Sequence, residues 1–512
     1  KEEHPHDIRP MLERMVKTYE QAGEWEKAYY ICKQLHNPEA LADVIEHSGT
    51  AMLQSALVTL EGWVNALPPS IVVKRPGLIS LLGPMTAMKG NLQESNKLLD
   101  KAVSVYRKGR DKAGLTLALT RRANTLRLLG SYNESMHDID EALRLAEANS
   151  AFQPHYAEAL RLKGLNLYRL GESRQAVGML EHSLSLYTAM NETGRIPTVL
   201  METGMAHRAI GDIESAQHSY QEALKIQISE KNLYYQAETL NNLAVLYYLV
   251  GEYELASETF ENGLICARKS RNQRTECVLL TGIGDLYSEV DEYDAALQAY
   301  QQAELLAGEL PGFFISNYLI LARGNLALWQ GDLETVSQIL KTSQKRILTS
   351  RSSYEYGLWN LLKGRFQILQ KRPRKAISFL QDCKNSFTQD GRDLETLWSI
   401  VWLTVAYAQI GQVQRARDEI QDVLKSAGVP DHALLITILQ AAPYLADLKN
   451  DPQIGRLLNT LLEKSQALKE KMPAIRRVLR HHAQSIQMPV AVLTIRAFGR
   501  PEVIVNGSVV GM

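Results

Sequence analysis

An all-α solenoid of paired helices is the fold class this sequence predicts, and three observations predict it. Turn residues recur at Gly90, Gly130, Gly171, Gly211, Gly251, Asp291, Gly331, Lys371 and Gly411, at intervals of 40, 41 and then 40 residues, with a degraded Asp451 one period on. Each turn is followed by small residues five and twelve positions later and by a bulky apolar residue nine positions later. Polar connections such as "RKGRDKAG" and "KSRNQR" alternate with the tight turns, which leaves helices of about 16 to 18 residues. Self-similarity at such a period marks two-helix units that stack on their neighbours, so the chain reads as a recognition surface before it reads as a catalyst.

The N-terminal elements come first. Residues 11–31 read as a two-helix unit turning at Gly23, with Ala28 five residues later. The stretch 57–83, "LVTLEGWVNALPPSIVVKRPGLISLLG", then leads into the periodic region. The expected organisation is an entry region over 1–79, the repeats over 80–487 and a distinct C-terminal piece over 488–512.

Within the repeats, offsets of five, nine and twelve lie on one helical face. Nine on from the turns stand Leu99, Ile139, Leu180, Tyr220, Phe260, Tyr300, Leu340, Leu380 and Ile420, flanked by residues such as Ala176, Ala216, Ala256 and Ala303. Seven before the turns, Gly83, Gly164, Gly204, Gly284, Gly324 and Gly364 mark a close helix crossing. A helix-interior glycine costs roughly 1 kcal/mol, so its recurrence at one phase implies a packing reason. The pattern resembles the tetratricopeptide repeat, best in "NNLAVLYYLVGEYELASETFENGLICA", residues 241–267. It departs in length, since that repeat is ordinarily about 34 residues. The resemblance implies a right-handed superhelix with a concave face.

The ends of the chain carry a second resemblance. Trp63, Leu67, Pro68, Arg75, Pro76 and Leu78 resemble the entry to the sensor domain of maltose-operon-activator-type regulators. Those are signal-transduction ATPases with an upstream nucleotide-binding module, a helical-repeat sensor and a terminal DNA-binding domain. Residues 489–510 abandon helical spacing for β-branched alternation and reach Asn506-Gly507, a hairpin dipeptide. This looks like the opening strands of the winged-helix module of bacterial transcriptional activators; a plain terminal hairpin is the other reading. Just upstream, "IRRVLRHHAQ" is either a phosphate-contacting patch or a solvated basic helix face. A start at Lys1 and a stop at Met512 read as a fragment, with the DNA-reading helix beyond it.

Composition narrows the function. Fifty-seven basic and 57 acidic residues give a formal charge of zero, so the surface as a whole is no polyanion trap. Cys32, Cys266, Cys277 and Cys383 lie far apart and read as reduced core thiols. No apolar run approaches the roughly 20 residues that cross a bilayer, and a cytoplasmic location is expected. No phosphate loop, HExxH helix or GxSxG elbow is present, and adjacent His481 and His482 have no third ligand at a recognised spacing. The expectation is no enzyme, no cofactor and no metal.

Function then falls to the groove. Positions ten, six and three before each turn share a face of the first helix. They carry Asn124, Arg127, Arg161, Tyr168, Arg208, Asn241, Tyr248, Asp285, Asn325 and Arg365 among residues such as Leu165, Met201, Met205 and Val245. Polar forks and aromatic faces among apolar neighbours suit a small-molecule inducer or a peptide. The expected role is a ligand- or partner-sensing domain that relays to an ATPase and a DNA-binding domain absent from this sequence, with self-association in the whole protein implied by the resemblance. A constitutive scaffold for an extended peptide is the alternative. An enzyme would need a carboxylate pair in the groove, where the sequence offers a lone Asp285.

Overall fold

All nine turn residues from Gly90 to Gly411 take positive φ, and two of them are not glycine: Asp291 at 62° and Lys371 at 59°. Each closes a helix with a left-handed cap. At Gly251 (φ 82°) the amide donates to Tyr248 O at 3.1 Å, and the next amide, of Glu252, donates to Tyr247 O at 2.9 Å. This reciprocal pair satisfies carbonyls that the helix end would otherwise leave open. The second connection is equally tight. Asn191, Lys231, Arg271 and Gly391 have φ of 57°, 55°, 54° and 64°. A helix-capping side chain follows at once in two of them: Asn232 Oδ1 accepts from Tyr235 N, and Asn272 Oδ1 accepts from Thr275 N.

The chain was analysed as a computed structural model that describes residues 5–147, 152–310, 315–350, 352–425, 432–486, 493–496, 502–505 and 508–510. It divides into two units, residues 1–206 and 207–512, the boundary falling inside the helix Ile196–Ala209. Helical hairpins build both. Among the described residues no helix is long and apolar enough to cross a membrane.

The periodic small and bulky positions are the core. Ser95, Ser135, Ala176, Ala216, Ala256, Ala296, Val336, Ala376 and Ala416 are all fully buried, and so are Leu99, Ile139, Leu180, Tyr220 and Leu380. The glycines seven before the turn have a direct steric cause. A Cβ on Gly83 would come within 2.5 Å of Leu99 Cγ, one on Gly284 within 2.4 Å of Tyr300 Cε1, and one on Gly364 within 2.5 Å of Leu380 Cγ. In these repeats the bulky residue of the second helix therefore rests on the bare backbone of the first. Gly324 differs, since its Cβ would meet Leu362 of the following repeat.

In the first unit, the entry motif is a clamp. Trp63 stacks on Tyr29 at 4.1 Å, and Leu67 and Leu78 are buried. Arg75 donates to Glu46 Oε1 and Oε2 at 3.1 and 3.0 Å, to Glu39 O at 3.1 Å, and to Asp43. Glu46 also accepts from Leu78 N at 3.0 Å, which ties the helix Pro38–Ser55 to the start of the helix Pro76–Met88.

In the second unit, the last repeat breaks the period. His432–Ala441 is mostly apolar, two single 3₁₀ turns follow, and Gly455–His482 is a helix of 28 residues rather than the expected 16 to 18. That helix does not pack on its sequence neighbours alone. Its Leu468, Met472 and Leu479 enter the same core as Tyr253, Phe260, Leu286 and Val290. The basic stretch is only partly a solvated face: Arg477, Arg480 and His481 are exposed, while three of its side chains are engaged within the fold. Arg476 donates to Val290 O at 3.1 Å, Arg480 makes a two-pronged pair with Glu292, and His482 Nε2 meets Glu254 at 3.2 Å. Buried Glu261 accepts from Gln484 N, Ser485 N and Ser485 Oγ at 3.1, 3.2 and 2.7 Å.

Three strands close the chain: β1 (Leu493–Arg496), β2 (Glu502–Val505) and β3 (Ser508–Val510), antiparallel in the order β1-β2-β3. Leu493 pairs with Val505, and Val505 with Ser508. The expected turn dipeptide Asn506-Gly507 lies outside the described residues.

Candidate functional site: a roofed aromatic chamber

Two adjoining cavities of about 300 and 130 Å³ lie in the second unit and share Glu289, Trp329, Arg365, Trp402 and Ile436 among their walls. Their walls come from the first helices of five successive repeats: Leu233–Leu249, Gln273–Glu289, Ile315–Trp329, Ser353–Leu369 and Asp393–Gln409. Each helix is held in phase by its left-handed turn, so each presents the same face. The roof is the chain's own C-terminal segment, through Ala433, Ile436, Thr437 and Gln440 of one helix and Lys469 and Met472 of the long one.

Arg365 sits at the centre. It is only 6% exposed, yet among the described residues no carboxylate pairs with it. Nη1 donates to Asn325 Oδ1 and Nη2 to Gln440 Oε1, both at 3.1 Å, while the buried Nε has no acceptor among the described residues. The guanidinium lies 5.0 Å from the Trp402 ring and 5.9 Å from the Trp329 ring, within cation–π range. Burial pushes its pKa down to about 10, so it remains charged at neutral pH.

The acidic side of the chamber is already engaged. Asp285 accepts from Tyr300 and Tyr318 hydroxyls at 2.7 and 2.8 Å. Burial raises its carboxyl to about 6, against the pull of those two donors. Asp285 is not the lone carboxylate that the sequence offered, because Glu289 stands one turn further along the same helix and lines both cavities. Glu289 is bonded to the Tyr248 hydroxyl, and burial raises Tyr248 well above the usual phenol range.

Of the ten groove residues expected from sequence, Tyr248, Asp285, Asn325 and Arg365 meet in this chamber. Arg208 and Asn241 lie in the same unit but do not line it. The other four lie in the first unit. There Arg161 is consumed by ion pairs, holding Glu158 through two bonds of 3.0 and 2.8 Å and also engaging Glu202. Burial opposes ionisation of Glu158, but Arg161 and Arg195 outweigh it and hold the carboxyl down to about 2. Arg127 donates to Asn124 Oδ1 at 2.9 Å, and burial lowers its pKa. Tyr168 faces the Arg169 guanidinium at 5.9 Å. A trio of possible metal ligands, His137, Asp138 and Glu141, also lies in this unit, but Arg122 and Arg107 already hold its two carboxylates.

The sequence reading missed Glu289, Tyr318, Trp329, Trp398 and Trp402. Their positions are 2, 13, 2, 13 and 9 before their turns (291 − 289, 331 − 318, 331 − 329, 411 − 398, 411 − 402). A stripe at 13, 9, 6 and 2 has the same helical spacing as the one chosen, rotated slightly, and would have found them.

Comparison with known proteins fits this architecture. The family described as "MalT-like TPR region" matches residues 162–451, and anaphase-promoting complex subunit 5 matches the shorter stretch 86–153. No curated protein matches the sequence. Among solved structures, a signal transduction ATPase with numerous domains and a tetratricopeptide repeat sensor, from Pyrococcus horikoshii, aligns with a TM-score of 0.52 at 15% identity. The alignment covers 67% of this chain and 54% of that one, so the chain spans about half of that protein's length. A Rap protein crystallised with competence and sporulation factor aligns at 14% identity over 74% of this chain and all of its own, with a TM-score of 0.49. At these identities the likeness concerns the fold alone.

Proposed function

The chain belongs to the MalT-like TPR region family, and from that premise we propose that it is the sensing domain of a cytoplasmic bacterial transcriptional regulator. The observation that carries the reading is the roofed chamber: five repeats supply its walls and the C-terminal segment of the same chain closes it. A ligand bound there touches repeats and roof together. Any difference in its affinity for closed and open roofs shifts that equilibrium by the same free energy. The roof continues into the long helix Gly455–His482 and then toward the three terminal strands. That order gives ligand occupancy a route to whatever follows, which we take to be the winged-helix DNA-binding module. The ATPase and the self-association belong to the whole regulator and lie outside these residues. The roof favours a small inducer over an extended peptide, because it occupies the side of the groove that a peptide would need.

The test is native mass spectrometry of the purified chain for a co-purifying molecule, followed by hydrogen exchange with that molecule removed and restored. Slower exchange in 432–441 and 455–482 on restoring it is expected. An extended peptide that binds with no change in those two helices would overturn the sensor reading in favour of the scaffold.

A further inference from the structure

Three buried donors in the same chamber have no acceptor among the described residues: Nε of Arg365 and the indole N–H groups of Trp329 and Trp398. Buried polar groups in folded proteins are nearly always paired, so unmade bonds of one kind in one cavity describe the missing partner. All three are donors. The complement is a group with acceptors only, and a buried guanidinium with no carboxylate calls for that group to be negative.

From this geometry we propose that the chamber binds a small organic oxyanion, a carboxylate or phosphate monoester with a flat apolar body. The anionic head would sit on Arg365 and the indole donors, and the body would lie among the aromatic walls. The proposal rests on the sensing reading above and names the ligand class for that site. The chamber's other charges allow it. Asp285 is held by two tyrosine hydroxyls and Glu289 by Tyr248. Asp291 pairs with Arg476, and Lys469 adds a second cation from the roof. Size allows it as well: the three donors share the smaller cavity of about 130 Å³, room for the anionic head, and it adjoins the larger one of about 300 Å³, where the body would lie; an apolar cavity of roughly 150 Å³ accepts benzene.

The experiment titrates the purified chain with sodium benzoate, phenyl phosphate and neutral benzamide at fixed ionic strength, reading tryptophan fluorescence and melting temperature. At least one anion is expected to quench saturably and raise the melting temperature, with benzamide at least about tenfold weaker. Arg365→Met should abolish the difference between anion and amide. Trp329→Phe keeps an aromatic ring but removes the indole N–H, so it should weaken anion binding severalfold in a chain whose charge is unchanged. The assignment is overturned if benzamide binds as well as benzoate, if Arg365→Met binds benzoate like the parent, or if neither anion binds well into the millimolar range. A neutral co-purified ligand would sink the oxyanion and leave the sensor standing. Tight anion binding with unaltered exchange in the roof would do the reverse.

Discussion

The guanidinium of Arg365 donates Nη2 to Gln440 Oε1 at 3.1 Å, and this bond joins a wall of the chamber to its roof. The two residues are 75 positions apart, and both line the larger cavity. It couples the state of the cation to the seating of the helix His432–Ala441. An anion arriving at Arg365 would compete for, or reinforce, the same donors.

Replacing Gln440 by Leu removes the acceptor and leaves a second arginine donor unmade. A buried unsatisfied donor costs about 1–3 kcal/mol. We expect amide exchange in His432–Ala441 to speed up by roughly tenfold or more, while the wall helix Ser353–Leu369 keeps its protection. Mass-resolved hydrogen exchange of the two peptides decides this.

The long C-terminal helix is pinned by a separate set of charges. Arg480 Nε donates to Glu292 Oε1 at 2.9 Å, and Glu292 is only 6% exposed. Arg480 itself is half exposed, so the pair is partly screened. Arg480→Ala strands a buried carboxylate and should weaken the docking of Gly455–His482 by about 1–2 kcal/mol. Limited proteolysis should then cut in 470–486 faster than in the parent. Arg480→Ala combined with Glu292→Gln should recover part of the loss, because no buried charge is left unpaired.

How much of this could be read from the chain follows from what is periodic. The turns, the small positions and the glycine crossings repeat every 40 residues, so one physical cause is written many times over. Asp291 and Lys371 could be placed although neither is glycine, because the period carried them. Trp398 and Trp402 were lost because the inward face was taken one slight rotation away. The roof was not legible at all. It depends on contacts such as Arg476 with Asp291 and His482 with Glu254, 185 and 228 residues apart, and each of these occurs once. A single tertiary contact leaves no periodic trace, and the same arginines read equally well as a solvated face.

Gly364 and Gly178 provide a controlled pair for the crossing rule. Both lie inside helices, where alanine is favoured by about 1 kcal/mol. A Cβ on Gly178 meets nothing within 4 Å, whereas one on Gly364 would meet buried Leu380 Cγ at 2.5 Å. Gly178→Ala should therefore stabilise by up to about 1 kcal/mol. Gly364→Ala gains the same propensity but overpacks a core at a cost of about 1–3 kcal/mol, so a net loss of up to about 2 kcal/mol is expected. Urea midpoints of the two variants should move in opposite directions.

Lys371 carries its left-handed turn with a side chain that pays for nothing, since it is exposed and its φ is 59°. An L-residue in that region costs roughly 1–2 kcal/mol relative to the right-handed one, and glycine avoids the clash. Glycine also frees the unfolded chain, which returns part of the gain. Lys371→Gly should stabilise by about 0.5–1 kcal/mol. A melting temperature unchanged or lower would mean that the turn is not strained.

Asp285 gives the site a pH signature. Its folded pKa of about 6 lies above the ordinary aspartate value of about 3.9. Below about pH 4 the carboxyl is protonated in both states and the shift has no effect on stability. As pH rises from 4 through 6, the unfolded chain ionises first, and stability is lost until the folded carboxyl has ionised too. The loss is about 2 kcal/mol, allowing for the part of the side chain that water reaches. Asp285→Asn removes the titration while keeping a polar group beside Tyr300 and Tyr318. The variant should gain on the parent between pH 4.5 and 7, measured as the difference in urea midpoints; subtracting the two curves cancels Glu238, whose carboxyl burial raises to about 7 in both chains. A difference that stays flat across that range would place the Asp285 carboxyl at its ordinary value and open to water.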